Sequence, residues 1–226
     1  MPELPEMEHY RRMLTERIAG NRIEETEVER EKSLNVPAAQ FDAAVRGRRV
    51  RSVERRAKHL LFRLDGAGEP VLLLHLMLGG WMFYGTPSER PDRTVQVRLG
   101  FGTRSLHFIG LRIGYLHLMS AEEAEARLAK LGPDPFDANF TPERLAAAAS
   151  RKRGMLKTVL TDQSVLSGIG NCYSDEMCFQ AGILPMRRTG GLTQQDWRSL
   201  HAAMLAVLRE ALHYGGYMEQ PFFAGD

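Results

Sequence analysis

At 226 residues the chain suits one large domain or two small ones, and two are expected, because single cores seldom keep growing far beyond this size. Hydrophobic residues at 43% and charged residues at 26% supply enough apolar side chain to offset chain entropy, which excludes a largely disordered chain. A formal net charge of +2 names no polyanionic partner by itself, so the distribution of charge has to be followed along the chain.

Pro5 suits the first positions of a helix, Met7, Tyr10, Leu14 and Ile18 recur at helical spacing, and Gly20 supplies a stop, so the chain is predicted to open with a helix. From about residue 22 to 118 the pattern changes to short apolar runs such as Val71 to Met77, Thr94 to Phe101 and Ser105 to Ile109, separated by glycine and proline breaks. This is a strand meander. Within it, Arg46 to Lys58 holds seven basic side chains against one acid, Glu54. Their alternation with Val50 and Val53 is ordinary for a strand with one wet face. Seven cations in 13 residues are denser than solvation calls for, which favours phosphate contact. His75, inside an apolar run, reads by itself as a half-buried histidine with satisfied hydrogen bonds.

Beyond Ser120 the helical period returns. Ser120 with Glu123 and Thr193 with Asp196 look like capping boxes, and Trp197, Leu200, Met204, Val207, Leu208 and Ala211 line one helical face. Leu131-Gly-Pro-Asp-Pro-Phe136 cannot continue a helix through two prolines and is the candidate hinge. The expected boundaries are therefore 1–119 for helix plus strands, 120–136 for a linker and 137–226 for a helical domain, an α+β fold. Val165 to Tyr173 places Gly168, Gly170 and Asn171 just ahead of a helical run. A glycine turn opening onto a helix N-terminus offers N–H groups and a favourable dipole to a phosphate. Asn171 either caps that helix, binds the phosphate, or does both. Lys152 and Lys157 flank a helix start, where lysines usually meet only water.

Two cysteines, Cys172 and Cys178, have no second pair to complete a four-ligand zinc site and suit a reducing, cytoplasmic setting. No apolar run approaches the roughly 20 residues needed to cross a bilayer, and the polar opening MPELPEMEHYRRM is no secretion signal. That opening has chemistry of its own. Pro2 and Pro5 stiffen the backbone and hold the Glu3 carboxylate close to the terminus. If Met1 is removed, Pro2 becomes a secondary amine in the ordinary range of about 7.7 to 8 for a chain-terminal amine. It can then attack a carbonyl or masked aldehyde, with Glu3 to transfer the proton. Composition alone would leave the segment as a stiffened, exposed terminus.

Five segments agree in order and spacing with one enzyme family: Met1-Pro-Glu-Leu-Pro-Glu6, Arg55-Arg-Ala-Lys-His59, His75-Leu-Met-Leu-Gly-Gly80, Leu131-Gly-Pro-Asp-Pro135, and Lys157 through Gly168-Ile-Gly-Asn171 to Glu176 and Pro185. Over that span the chain resembles the formamidopyrimidine-DNA glycosylase and endonuclease VIII family, base-excision enzymes of oxidised DNA. The resemblance implies an N-terminal helix and β-sandwich followed by an all-helical helix-two-turn-helix domain, with damaged or abasic double-stranded DNA in the cleft between them. It implies a bifunctional DNA glycosylase and AP lyase, in which Pro2 attacks C1′ of the damaged nucleotide and the resulting Schiff base drives strand cleavage by elimination. Glu3 would protonate the opening sugar, Lys58 would anchor a phosphate and donate a proton in elimination, and Glu6 would support the terminus and first helix. His75, Lys152, Lys157 and Asn171 stand at DNA-contacting positions of the family. Leu78 is the candidate wedge filling the stack when the damaged base flips out, with Met77 or Trp81 as the alternative if Leu78 packs in the core.

Departures from the family limit what the resemblance implies about specificity. In Ile109-Gly-Leu-Arg-Ile-Gly114, Leu111 stands where an arginine would read the orphaned cytosine, Ile113 where an aromatic wedge would stand, and only Arg112 remains. A monomer without a cofactor in this chain is expected, with structural zinc only if a C-terminal finger has been truncated. The setting expected is the bacterial cytoplasm at the nucleoid, with no membrane partner. The competing function is a damaged-DNA or junction-binding protein that has lost turnover.

Overall fold

The computed structural model describes residues 1–225, which divide into two compact units. The first gathers Met1–Pro2, Met7–Arg127 and the segment from Tyr217 on; the second comprises Glu3–Glu6 and Leu128–Gly216. The fold class is α+β, with seven α-helices and two antiparallel four-stranded sheets among the described residues.

Helix α1 (Leu4–Ile18) ends before Gly20, and its Met7, Tyr10, Leu14 and Ile18 are buried in the first unit's core, as their helical spacing predicts. After β1 (Glu25–Val28) and α2 (Ala38–Val45), strands β2 (Val50–Arg56), β3 (His59–Leu64) and β4 (Val71–His75) form consecutive antiparallel pairs. The chain then crosses to the second sheet as β5 (Trp81–Gly85), β6 (Val95–Phe101) and β7 (Arg104–Ile109), and returns as β8 (Tyr115–Met119) beside β4. The sheet orders are β1-β6-β7-β5 and β2-β3-β4-β8. Alternate residues from each sheet share one core, in which the rings of Phe62 and Phe108 meet edge to face at 6.1 Å.

The second unit holds α4 (Pro142–Ser150), α5 (Leu156–Leu160), α6 (Asn171–Ala181) and α7 (Gln194–Tyr214). Trp197, Leu200, Met204 and Leu208 of α7 are buried in its core, and the Thr193–Asp196 capping box is present. The Ser120–Glu123 box opens α3 (Ala121–Leu128), a helix lying within the segment read as a linker. The double-proline segment is also tied down. Gly132 N–H donates to the Gln163 carbonyl at 2.8 Å, and Ser167 donates to the Pro133 carbonyl through both its N–H and its hydroxyl.

The end of the chain departs from the expected helical domain. Gly215, with φ 83°, ends α7, and the following segment returns to the sandwich. There Phe222 is fully buried, its carbonyl accepts Tyr84 N–H at 2.7 Å, and its ring packs edge-on to Tyr10 at 5.6 Å. The Arg17 guanidinium covers the Phe223 ring at 4.5 Å. Burial of the Phe222 ring, with Phe223 partly buried beside it, holds this segment in the first unit.

Candidate active site

In the second unit, the first turn of α6 is the seat of the chain's opening carboxylates. Glu3 and Glu6 are both buried. The Glu3 carboxylate accepts N–H groups of Gly170 and Cys172, the latter at 3.0 Å, and Leu4 N–H donates to the Gly168 carbonyl at 2.9 Å. Two backbone donors and the positive end of a helix suit a carboxylate in this place. Glu6 completes half of a capping box on α1, accepting Glu3 N–H at 2.7 Å, and its other oxygen accepts the Tyr173 hydroxyl. The buried phenol is held well above its ordinary range by burial, then by its hydrogen bond to Glu6 and that group's charge.

This changes the reading of the Gly-Ile-Gly-Asn segment. The amides of Gly170 and Cys172, expected to face a phosphate, are occupied by Glu3. Gly168 serves the chain terminus too: with φ +91°, a Cβ there would lie 2.9 Å from Leu4 Cβ. The N-cap of α6 is Gly170, and Asn171 is its first helical residue, exposed, so Asn171 does not cap the helix. Lys157 pairs with Asp175 at 2.6 Å and Lys152 with Asp162 at 3.0 Å. Cys172 is exposed and Cys178 buried, and burial with the Asp175 charge pushes the Cys178 thiol up to about 11.

In the first unit, Lys58 lies buried in the two-residue connection between β2 and β3, next to Ala57 in the left-handed region at φ 55°. A non-glycine residue there costs about 1 to 2 kcal/mol, a cost often met at functional turns. Strand register then aligns His59, His75 and Tyr115 across three strands. His59 Nε2 and the Tyr115 hydroxyl are 3.1 Å apart, the His59 and His75 rings meet edge to face at 4.5 Å, and the Arg127 guanidinium covers Tyr115 at 5.0 Å. Burial, reinforced by the charges of Lys58 and Arg127, lowers His75 to about 4, so its imidazole is neutral at pH 7. Its Nδ1 accepts Met77 N–H at 3.1 Å, which assigns the proton to Nε2 and makes that nitrogen a donor.

Above His75, two crossover loops meet backbone to backbone. Residues 76–80 join β4 to β5 and residues 110–114 join β7 to β8; a Cβ on Gly110 would come 2.1 Å from the Gly79 carbonyl oxygen. Leu78 and Ile113 stand 68% and 58% exposed on these loops, with Arg112 exposed beside Ile113. Leu78 thus does not pack in the core; Leu76 does, and Trp81 packs against the small cluster of Phe83, Val95 and Ile109. Leu111, compared above with a base-reading arginine, is fully buried, its N–H donating to Gln96 Oε1 and its carbonyl accepting the Ser33 hydroxyl.

Several arginines of the basic stretch from Arg46, read above as a phosphate strip, have internal partners. Arg46 pairs with Asp42 at 3.0 Å, Arg51 with Glu69 at 3.0 Å and Arg55 with Glu8 at 3.0 Å. Arg48 donates to the Ala44 and Asp65 carbonyls and Arg49 to that of Gly20. These residues brace loops and helices, a role that charge density along the sequence does not distinguish from phosphate binding. Tyr173 and Tyr115, with His59, were not singled out from the sequence; a tyrosine two residues after Asn171 was the available signal for the first.

The family model for the formamidopyrimidine-DNA glycosylase N-terminal domain matches residues 1–115, and that for the formamidopyrimidine-DNA glycosylase H2TH domain matches residues 131–221. The chain belongs to the formamidopyrimidine-DNA glycosylase family. It is 36% identical over 220 residues to the formamidopyrimidine-DNA glycosylase of Desulfitobacterium hafniense, covering 96% of this chain and 80% of that protein. To the Geobacillus kaustophilus enzyme of that name it is 37% identical over 222 residues, with the same coverage of both. A crystal structure of the Lactococcus lactis glycosylase, non-covalently bound to DNA containing an AP site, superimposes with a TM-score of 0.88 at 26% identity, covering 95% of this chain and 83% of that one. No helix among the described residues is long and apolar enough to cross a membrane.

Proposed function

We propose that the protein is a bifunctional DNA glycosylase and AP lyase of base-excision repair, acting on oxidised bases in double-stranded DNA. The observation that carries this reading is the anchoring of Glu3, whose carboxylate rests on two amides of α6 while its own N–H is held by Glu6. The residue before it in the chain is Pro2, and the proposed nucleophile is thus covalently joined to an anchored glutamate.

Once Met1, which is exposed, has been removed, the Pro2 amine attacks C1′. The C1′–N bond breaks and the base leaves with its electron pair, taking up the proton that the Pro2 amine loses, while Glu3 protonates O4′ as the sugar opens to the iminium. Elimination from the resulting iminium releases a C2′ proton to water and expels the 3′ phosphate, whose leaving oxygen Lys58 anchors and protonates. The Nε2–H of neutral His75 donates to a backbone phosphate, and Leu78 fills the stack vacated by the flipped nucleotide. Lys152, Lys157 and Asn171 bind phosphates, the lysines exchanging Asp162 and Asp175 for DNA, and Arg112 is the remaining polar side chain on the 110–114 loop. With Leu111 buried, no arginine at that position reads the opposite base, which favours weak discrimination there and oxidised pyrimidines or ring-opened purines as substrates.

Borohydride reduction on abasic duplex DNA is expected to yield a stable adduct that maps to the first peptide of Met1-processed protein. An adduct on Lys58 would overturn the assignment of Pro2. Tight binding without any adduct would select instead a damaged-DNA-binding protein without turnover.

A further inference from the structure

The buried pair of Glu6 and Tyr173 has no part in the chemistry just described, yet it is placed to control it. Glu6 Oε2 accepts Glu3 N–H at 2.7 Å, and Glu6 Oε1 accepts the Tyr173 hydroxyl. Tyr173 is 1% exposed and stands on the same turn of α6 whose Gly170 and Cys172 amides hold the Glu3 carboxylate. A third side is closed by Gly216, where a Cβ would lie 2.2 Å from Glu6 Oε1. The Glu6 carboxylate therefore cannot rotate away without abandoning one hydrogen bond or striking backbone.

We propose that Tyr173 is a positioning residue for the reaction centre: through Glu6 it fixes the backbone N–H of Glu3, and with it the bond that carries the Pro2 amine. Glu3 is gripped at both ends by one helical turn, its carboxylate by amides and its N–H by a carboxylate that Tyr173 orients. A phenol bonded to a buried carboxylate makes a short, charge-assisted contact, so its loss releases Glu6 to other rotamers instead of merely leaving a small hole. Small displacements of a nucleophile are costly, because rate depends on a near-attack geometry.

This inference rests on the proposed Schiff-base reading, and the test separates the two. With Met1 removed, Tyr173→Phe is expected to slow single-turnover borohydride trapping on abasic duplex about tenfold, with the Kd for the same duplex unchanged within about twofold. Because Tyr173 acts through Glu6, the double variant Tyr173→Phe with Glu6→Gln is expected to trap no more slowly than Glu6→Gln alone. Independently of catalysis, the Glu3 amide is expected to lose at least about tenfold of its hydrogen-exchange protection in Tyr173→Phe, while the Leu72 amide in the sandwich keeps its own. Unchanged Glu3 protection, or multiplicative losses in the double variant, would overturn the role of Tyr173. Absence of trapping by the parent protein would overturn the Schiff-base reading, and the exchange measurement would still decide the positioning role.

Discussion

The seat of the terminal carboxylates and the rim of the two crossover loops solve opposite problems. At the seat, two buried carboxylates must have every oxygen answered, because burial of an unpaired charge is expensive. Side-chain identity is therefore what matters: Glu3 on two amides, Glu6 on an amide and a phenol. At the rim the side chains stand in solvent and the backbone does the holding, with Gly110 against the Gly79 carbonyl and Leu78, Arg112 and Ile113 displayed outward. The seat thus depends on a few particular side chains, whereas the rim depends on its backbone.

The largest break in this comparison is expected at the seat. Glu3→Gln keeps one acceptor oxygen for the α6 amides but cannot donate a carboxylic proton. Base excision in single turnover should fall by about 10²–10⁴, with lyase activity on a pre-formed abasic site largely retained. Equal loss of both activities would remove Glu3 from the acid's role.

A smaller effect is expected at the rim, and its pattern is the informative part. Gly110→Ala brings a Cβ to 2.1 Å from a backbone oxygen at a φ of +72°, so urea unfolding should show a loss of about 1 to 3 kcal/mol. Leu78→Ala, at an exposed tip, should change stability by no more than about 0.5 kcal/mol yet slow excision of a paired base. If Leu78→Ala destabilises as much as Gly110→Ala, the rim is not held by its backbone.

The smallest expected effect concerns the root of the rim, where buried histidines replace buried carboxylates. Burial, with neighbouring cationic charge, lowers His59 to about 3, and His75 and His107 to about 4, while His117 is lowered as well. His59 faces His75, Arg127 and Arg56, and His107 faces Arg90, Arg98 and Glu27, so both surroundings are dominated by cations. A depressed folded-state value means that the unfolded chain takes up protons first. Stability from these groups is complete above their ordinary value of about 6.5 and is lost as pH falls from there toward about 4. Melting temperature should fall between pH 7 and pH 5, by about 2 to 4 °C for each kcal/mol lost in a chain of this size. Carboxylates paired with arginine, such as Glu27 and Glu54, are held low by those hydrogen bonds against burial and add their own loss at lower pH. A flat melting temperature down to pH 5 would mean that the histidines are already hydrated in the folded protein.

Much of the fold was legible in the sequence because it depends on neighbours a few residues apart. The apolar face of α1, the capping boxes at Ser120 and Thr193, and the buried face of α7 are set by helical period and by side chains that reach only three or four positions. Family membership was likewise written in short motifs, beginning with the first six residues. Only the tertiary structure could decide what those motifs hold. Glu3 and Gly170 lie 167 positions apart, and it is their meeting that turns a glycine turn from a phosphate cradle into the seat of the terminus. The return of Phe222 to Tyr84, the burial of Leu111 and the pairing of Arg46, Arg51 and Arg55 have the same origin. Composition and spacing specify which groups a segment offers, but a charge or an apolar ring is satisfied by whatever the packed chain brings within a few ångströms, and that partner is chosen by the fold as a whole.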